Sequence, residues 1–250
     1  MESILNRFPK ERLPLPPEFQ AIYSEQYKEN REGKSSAAGL AQRMESWMHR
    51  KVAGDVSSSS EKSTLEIGAG TLNHLPYEMH SRPYDIIEPF RFLYESSPLI
   101  EKLRDVYDDI SEIPNGTNYD RIVSIAAFEH ICTLPEVVAN CGILLNNGGN
   151  LRVAIPSEGT ILWRLGYTLS TGLEFRRRYN LDYGILMKHE HVNTAKEIEL
   201  VLRHFFSDVK GNVFGVAKAL SFYQFYVCQN PQLDKCEEYL AGSHPGSRNR

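Results

Sequence analysis

Short apolar runs rich in β-branched residues, each ended by a turn signal, recur through the middle of this chain. Ser63–Ile67, Tyr84–Ile87, Leu103–Tyr107, Arg121–Ala126 (RIVSIA) and Asn150–Ile155 (NLRVAI) read as five strands. Segments of helical pattern fit between them, the clearest running from Leu134 to Leu145. Strand–helix alternation of this kind predicts a parallel sheet with helices on both faces. Further on, Ala195–Phe206 has the spacing of an amphipathic helix. Val209–Val216 and Phe222–Cys228 follow as two strands with a short join, which suits an antiparallel pair at one sheet edge.

The chain has 250 residues and is 41% hydrophobic, enough for one core or a core with a cap. Residues 1–58 read as a proline-rich lead-in with a possible short helix over Glu18–Tyr27, then a helix over 36–53. Residues 59–230 read as the main domain, with a long insert at about 157–194, and 231–250 as a flexible tail. A net charge of −4 and a pI of about 6.1 give no reason to expect a nucleic-acid partner. The N-terminus lacks an apolar signal core, and no run of 18 apolar residues exists, so neither a signal peptide nor a membrane span is expected. Cys132, Cys141, Cys228 and Cys236 form no CxxC pair, which speaks against a thiolate zinc site and for reduced thiols in a cytoplasmic protein.

The first strand runs into Gly68-Ala69-Gly70. Glycines there let a backbone approach a ligand at the carboxyl end of the sheet, although a tight turn would need them equally. Glu88 closes the second strand, 20 residues past Gly68, where an acid accepts ribose hydroxyls. Asp109-Ile110 follows the third strand, placed for an adenine amino group and ring, and Ile125 and Ala126 end the fourth. A dinucleotide fingerprint wants a third glycine where this chain has Asn73. Glu66, just before the glycines, would repel a pyrophosphate but could face an ammonium. S-adenosylmethionine carries an ammonium and no phosphate, so it fits better than NAD.

In order, LEIGAGT, IIEPF, YDDISEIP, YDRIVSIAAFEHI and LLNNGGNLRVAIPSEG resemble the motifs of class I S-adenosylmethionine-dependent methyltransferases, over residues 60–230. The resemblance implies a Rossmann-like, mostly parallel seven-stranded sheet with a reversed last strand. It also implies roles: Glu66, Gly68, Ala69 and Gly70 around the methionine part, Glu88 on the ribose, Asp109 and Ile110 on adenine, and Ile125 at the methionine end. Thr71-Leu72 stands where the family often has another glycine. The helix carrying MESWMHRKV would then be a lid with His49 and Arg50 near the cofactor carboxylate. The same residues equally suit a core-packed Trp47-Met48 with a solvated basic face.

Methyl transfer to oxygen needs a base besides proximity. His130, His189 and His191 are the candidates, each with a structural alternative. The His189-Glu190-His191 spacing would set two imidazoles on one side of a strand, which keeps a metal in view, but no residue is assigned to one. The insert offers Trp163, Arg164 and Tyr183 as acceptor-binding residues, and Arg176–Arg178 as a phosphate-holding cluster or a solvated helix end. The expected reaction is methylation of a small molecule, at a hydroxyl of a sugar or glycan precursor, nucleotide- or lipid-linked. The whole-chain likeness to methyltransferases of bacterial surface-polysaccharide sugars points the same way. A lipid or quinone-like acceptor, and a cofactor-binding regulator without turnover, are the alternatives.

Overall fold

A computed structural model describes residues 3–20, 22, 40–56, 61–78, 83–169 and 171–243. Its centre is a seven-stranded sheet in the order β3-β2-β1-β4-β5-β7-β6. The strands are β1 Thr64–Ile67, β2 Tyr84–Ile87, β3 Val106–Tyr107, β4 Tyr119–Ile125, β5 Leu145–Pro156, β6 Phe206–Ala217 and β7 Leu220–Pro231. The first five run parallel, and β7 lies antiparallel between β5 and β6, so the expected reversed strand is present. The chain moves outward from β1 through β2 to β3, then crosses to the other side of β1 as β4. That reversal opens a crevice at the carboxyl ends of β1 and β4.

Every residue of β1 and β2 is buried, as expected of strands covered on both faces. Leu65 and Ile67 face a large core with Ile122, Leu151 and Val153. Helices α2 (Leu134–Leu144) and α6 (Ala195–Phe205) cover that face. A last helix, α7 (Leu233–Ser243), packs on α2, where a Cβ at Gly142 would meet Cys236 Sγ at 2.8 Å. The flexible tail expected from 231 is therefore a docked helix up to Ser243, its buried Cys236 holding it in place, while 244–250 lie outside the described residues.

The opposite face is covered by α1 (Leu40–Val52), whose Met48 and Val52 pack on Val123, Ala154 and Phe225. Its apolar face packs on β4, β5 and β7, so this helix is a structural layer of the sheet. The other expected helices between β1 and β4 are replaced by 3-10 turns at Leu75–Glu78, Arg91–Leu93, Ile100–Lys102 and Ile110–Glu112. Pro76, Pro83, Pro89, Pro98 and Pro114 punctuate these connections and leave no stretch for an uninterrupted helix. The possible helix over Glu18–Tyr27 is described only at 17–20 and 22, and most of it lies outside the described residues. The lead-in before it is anchored: Ile4, Leu5 and Phe8 pack on the main core. No helix among the described residues is long and apolar enough to cross a membrane.

Between α1 and the sheet sits Arg121 of β4, 0% exposed. Its Nη1 and Nη2 donate to Glu78 at 2.6 and 2.9 Å. Nε donates to Asp55 at 3.0 Å, Nη1 also to Thr64 Oγ1 and Nη2 also to the Val52 carbonyl, both at 3.1 Å. All five guanidinium donors are thus engaged. Glu78 also accepts from His74 at 2.9 Å, and His74 Nδ1 lies 3.0 Å from His49 Nδ1. Burial would raise the Glu78 pKa, but His74 and Arg121 outweigh it and hold it at about 2. Burial, then His74, pushes His49 down from 6.5 to about 4.

Arg121→Met leaves a buried carboxylate without its cation and should cost about 3–5 kcal/mol in urea unfolding. His49 is held neutral, so its contribution is complete above pH 6.5 and is lost as the pH falls toward 4. Unfolding of wild type and His49→Gln at pH 7 and pH 4 should show wild type losing up to ~3 kcal/mol more than the variant.

Candidate active site

At the carboxyl end of β1, Gly68 and Gly70 have φ of 74° and 53°. The Gly68 N–H donates to Ile87 O at 2.9 Å, tying the loop to β2. A Cβ on Gly68 would sit 2.5 Å from Ala127 Cβ, so only glycine lets this loop approach the turn after β4. A Cβ on Gly70 would meet nothing within 4 Å, so the loop faces open space there. Leu72 and Ala126 are also left-handed, with φ of 63° and 50°, which concentrates strained backbone around this crevice. Glu88 is 2% exposed and accepts from Gly70 N at 2.8 Å and Phe90 N at 3.0 Å. It joins the glycine loop to the end of β2. The Glu88 N–H bonds Tyr107 O, which brings Asp109 along the same edge. There the exposed Asp109 caps the next turn, accepting from Ser111 N at 2.9 Å.

The other expected cofactor residues are placed differently. Strand alternation turns Glu66 toward α1, where it accepts from the Tyr84 hydroxyl at 2.8 Å. Burial raises its pKa to about 7. Ala69 and Ile110 are buried in the core. Ile125 is half-buried at the end of β4 beside the α1 contact.

A second group gathers beyond β4 and β5. His130 ends a 3-10 turn (Phe128–His130), and His191 follows helix α5 (Tyr183–Glu190). Their rings meet edge to face, with centroids 4.9 Å apart. His130 Nδ1 lies 2.9 Å from Glu190 O, and His191 Nδ1 lies 2.9 Å from Glu158 Oε2. Trp163 on helix α3 (Ile161–Leu169) donates to the same Glu158 and stacks beside His191, while Tyr223 of β7 meets Trp163 edge-on at 5.5 Å. Buried Asn193 holds the assembly: its side chain donates to Phe128 O and Ile131 O, and its N–H to Glu129 O. Glu129 is 1% exposed, and burial raises its pKa to about 7. Burial opposes a charge on His191, but the Glu158 hydrogen bond and the surrounding carboxylates outweigh it and raise its pKa. Burial, with Glu129 next, pushes the Tyr223 hydroxyl up to about 12.

His189 is not part of this group. Its Nδ1 lies 2.6 Å from Leu13 O, because the chain is still helical at 189 and the two imidazoles diverge instead of sharing a strand face. Arg164 is exposed, and Tyr183 packs on Phe175 of helix α4 (Thr171–Tyr179) within the cap. Of the three acceptor-binding candidates Trp163, Arg164 and Tyr183, Trp163 alone joins the histidines. Arg176–Arg178 are exposed on α4. A basic, aromatic-lined cleft of about 740 Å³, which includes Arg50, Lys51 and Arg152, shares no residue with this group. Glu129, Glu158, Glu190, Tyr223 and Asn193 were not foreseen. The three acids and Asn193 sit inside FEH, SEG and KHEHVN, beside the histidines that were.

No protein-family model and no curated protein matches the chain. Solved structures do. The plantazolicin methyltransferase BpumL, in complex with a monoazolic desmethylPZN analog and SAH, is 13% identical with a TM-score of 0.59, over 85% of this chain and 92% of that one. The N-methyltransferase NodS from Bradyrhizobium japonicum WM9, in complex with S-adenosyl-L-homocysteine, is 15% identical with a TM-score of 0.52, over 80% and 91%. An O-methyltransferase family protein from Burkholderia thailandensis is 12% identical with a TM-score of 0.52, over 90% and 66%. The chain has the class I methyltransferase fold these proteins share.

Gly68→Ala should lower thermal stability more than Gly70→Ala. The first adds a 2.5 Å contact to a left-handed backbone, and the second adds only the backbone cost of about 1–2 kcal/mol. Differential scanning calorimetry of both variants checks the order.

Proposed function

We propose that this chain transfers a methyl group from S-adenosylmethionine to a hydroxyl of a small molecule, a sugar or glycan precursor. The observation that carries the reading is the Glu88 carboxylate bonded to the glycine loop at the sheet's reversal point. An acid beside open, left-handed glycines suits a ribose diol and a backbone-lined ligand. In this reading Glu88 holds the ribose hydroxyls. Asp109 and the Ile110 backbone meet adenine, and the turn at Ala126 and Ala127 borders the methionine end. S-adenosylmethionine supplies an activated methyl on a sulfonium. The protein orients it and excludes water.

The Glu129, His130, His191 and Glu158 group lies next along the edge, since Ala127 touches Gly68 two residues before Glu129. An acceptor hydroxyl loses its proton there. Trp163 and Tyr223 offer the flat, half-polar wall that a sugar ring stacks on. The named relatives include both N- and O-methyltransferases, so the preference for oxygen rests on this proton-handling group.

Calorimetric titration with S-adenosylmethionine, S-adenosylhomocysteine and NAD should show binding of the first two. Glu88→Ala, which removes hydrogen bonds of a charged group, should weaken it roughly 10–100-fold. A wild-type protein that binds neither sulfur ligand would end this reading.

A further inference from the structure

We propose that Glu129, His130 and His191 form a binding site for one divalent transition-metal ion. Each offers a ligand atom, and these atoms all lie within 4.8 Å of one another. Metal bonds of about 2.1 Å hold tetrahedral ligands about 3.4 Å apart, so the ion draws these side chains in by up to about 1.4 Å.

Three features set this group apart from a chance cluster. First, the imidazoles are oriented as ligands. His130 Nδ1 faces the Glu190 carbonyl at 2.9 Å, so that nitrogen carries the hydrogen and the lone pair is on Nε2. That Nε2 lies 3.8 Å from Glu129 Oε1. His191 Nδ1 likewise donates to Glu158 Oε2 at 2.9 Å, again leaving the lone pair on Nε2. A carboxylate or carbonyl behind each ligating histidine is the usual outer support of a metal site. Second, Glu129 is 1% exposed, yet its Oε2 has no hydrogen-bond partner among the described residues. A buried carboxylate oxygen without a partner is costly unless something else occupies it. Third, Glu129, Glu158 and Glu190 surround two imidazoles with no lysine or arginine side chain bonded to these carboxylates among the described residues.

Two imidazoles and one carboxylate suit Zn²⁺, Fe²⁺ or Co²⁺ better than Mg²⁺ or Ca²⁺. With three protein ligands, a position stays open for an oxygen. The role of the ion rests on the methyl-transfer reading. The acceptor oxygen binds the open position and its proton leaves to water. The oxygen then attacks the methyl carbon of S-adenosylmethionine. The O–C bond forms, the S–C bond breaks, and its electron pair stays on sulfur as a neutral thioether.

The test uses full-length protein stripped with a chelator and titrated with Zn²⁺ by calorimetry, with Co²⁺ absorption in parallel. One Zn²⁺ per chain is expected. Binding should weaken more than 100-fold in Glu129→Gln and His191→Ala, and about 10–100-fold in Glu158→Gln, which removes only the outer support. S-adenosylmethionine titration of each variant reports its folding independently. Wild type that binds the cofactor but no Zn²⁺ or Co²⁺ overturns the metal site alone. So does binding unchanged in His191→Ala, or a thiolate charge-transfer band that assigns the ion to a cysteine. Metal binding without cofactor binding keeps the site and removes the methyl-transfer reading.

Discussion

One buried guanidinium ties together the parts on which the crevice stands. Arg121 comes from β4, yet its hydrogen bonds reach the end of α1, the turn that follows it, β1, and the 3-10 turn that ends at Glu78. That turn is the other end of the glycine loop. The loop is therefore pinned from below by a charge pair and from the side by Glu88. A charge with no exposure is tolerated because every donor is matched. The geometry is all-or-none, since one missing partner would leave a buried ion uncompensated. Such an anchor fixes register more firmly than apolar contact, which slides.

The strands were legible because their signal is local. β-branched runs ended by turns mark TLEI, YDII and RIVSI without reference to anything distant. The glycine loop and Glu88 were legible for the same reason, as backbone need and strand ending lie within a few residues. Arg121 was hidden inside RIVSIA, read as an apolar run. Its partners lie 43 to 69 positions away, and no periodicity announces them. Glu66 was singled out by its proximity to the glycines; its bond to the Tyr84 hydroxyl of β2 was not legible, because that partner lies 18 positions away. Helices were expected between β1 and β4 on the strength of alternation alone, and five prolines overrule it.

The histidines show the limit from another side. His130 and His191 were both singled out, but their meeting depends on Asn193, whose amide bridges the turn after β4 and the start of α6. His189 has the same residue type and nearly the same position. The helix ends between them, so one ring turns outward to Leu13 and the other inward to Glu158.

The two halves of the crevice are thus held by different means. The glycine-loop side rests on strand ends and left-handed backbone, features set by the sheet itself. The His–Glu side is assembled from connections: a 3-10 turn, the end of a cap helix, and the first residues after β5. These are held by side-chain clamps and by the N-terminal segment, whose Arg12 donates to the carbonyls of His130, His189 and Glu190 and whose Lys10 reaches Val192 O. Four donated bonds from two residues close the ring around the His–Glu group. Here the loops carry buried carboxylates and paired imidazoles.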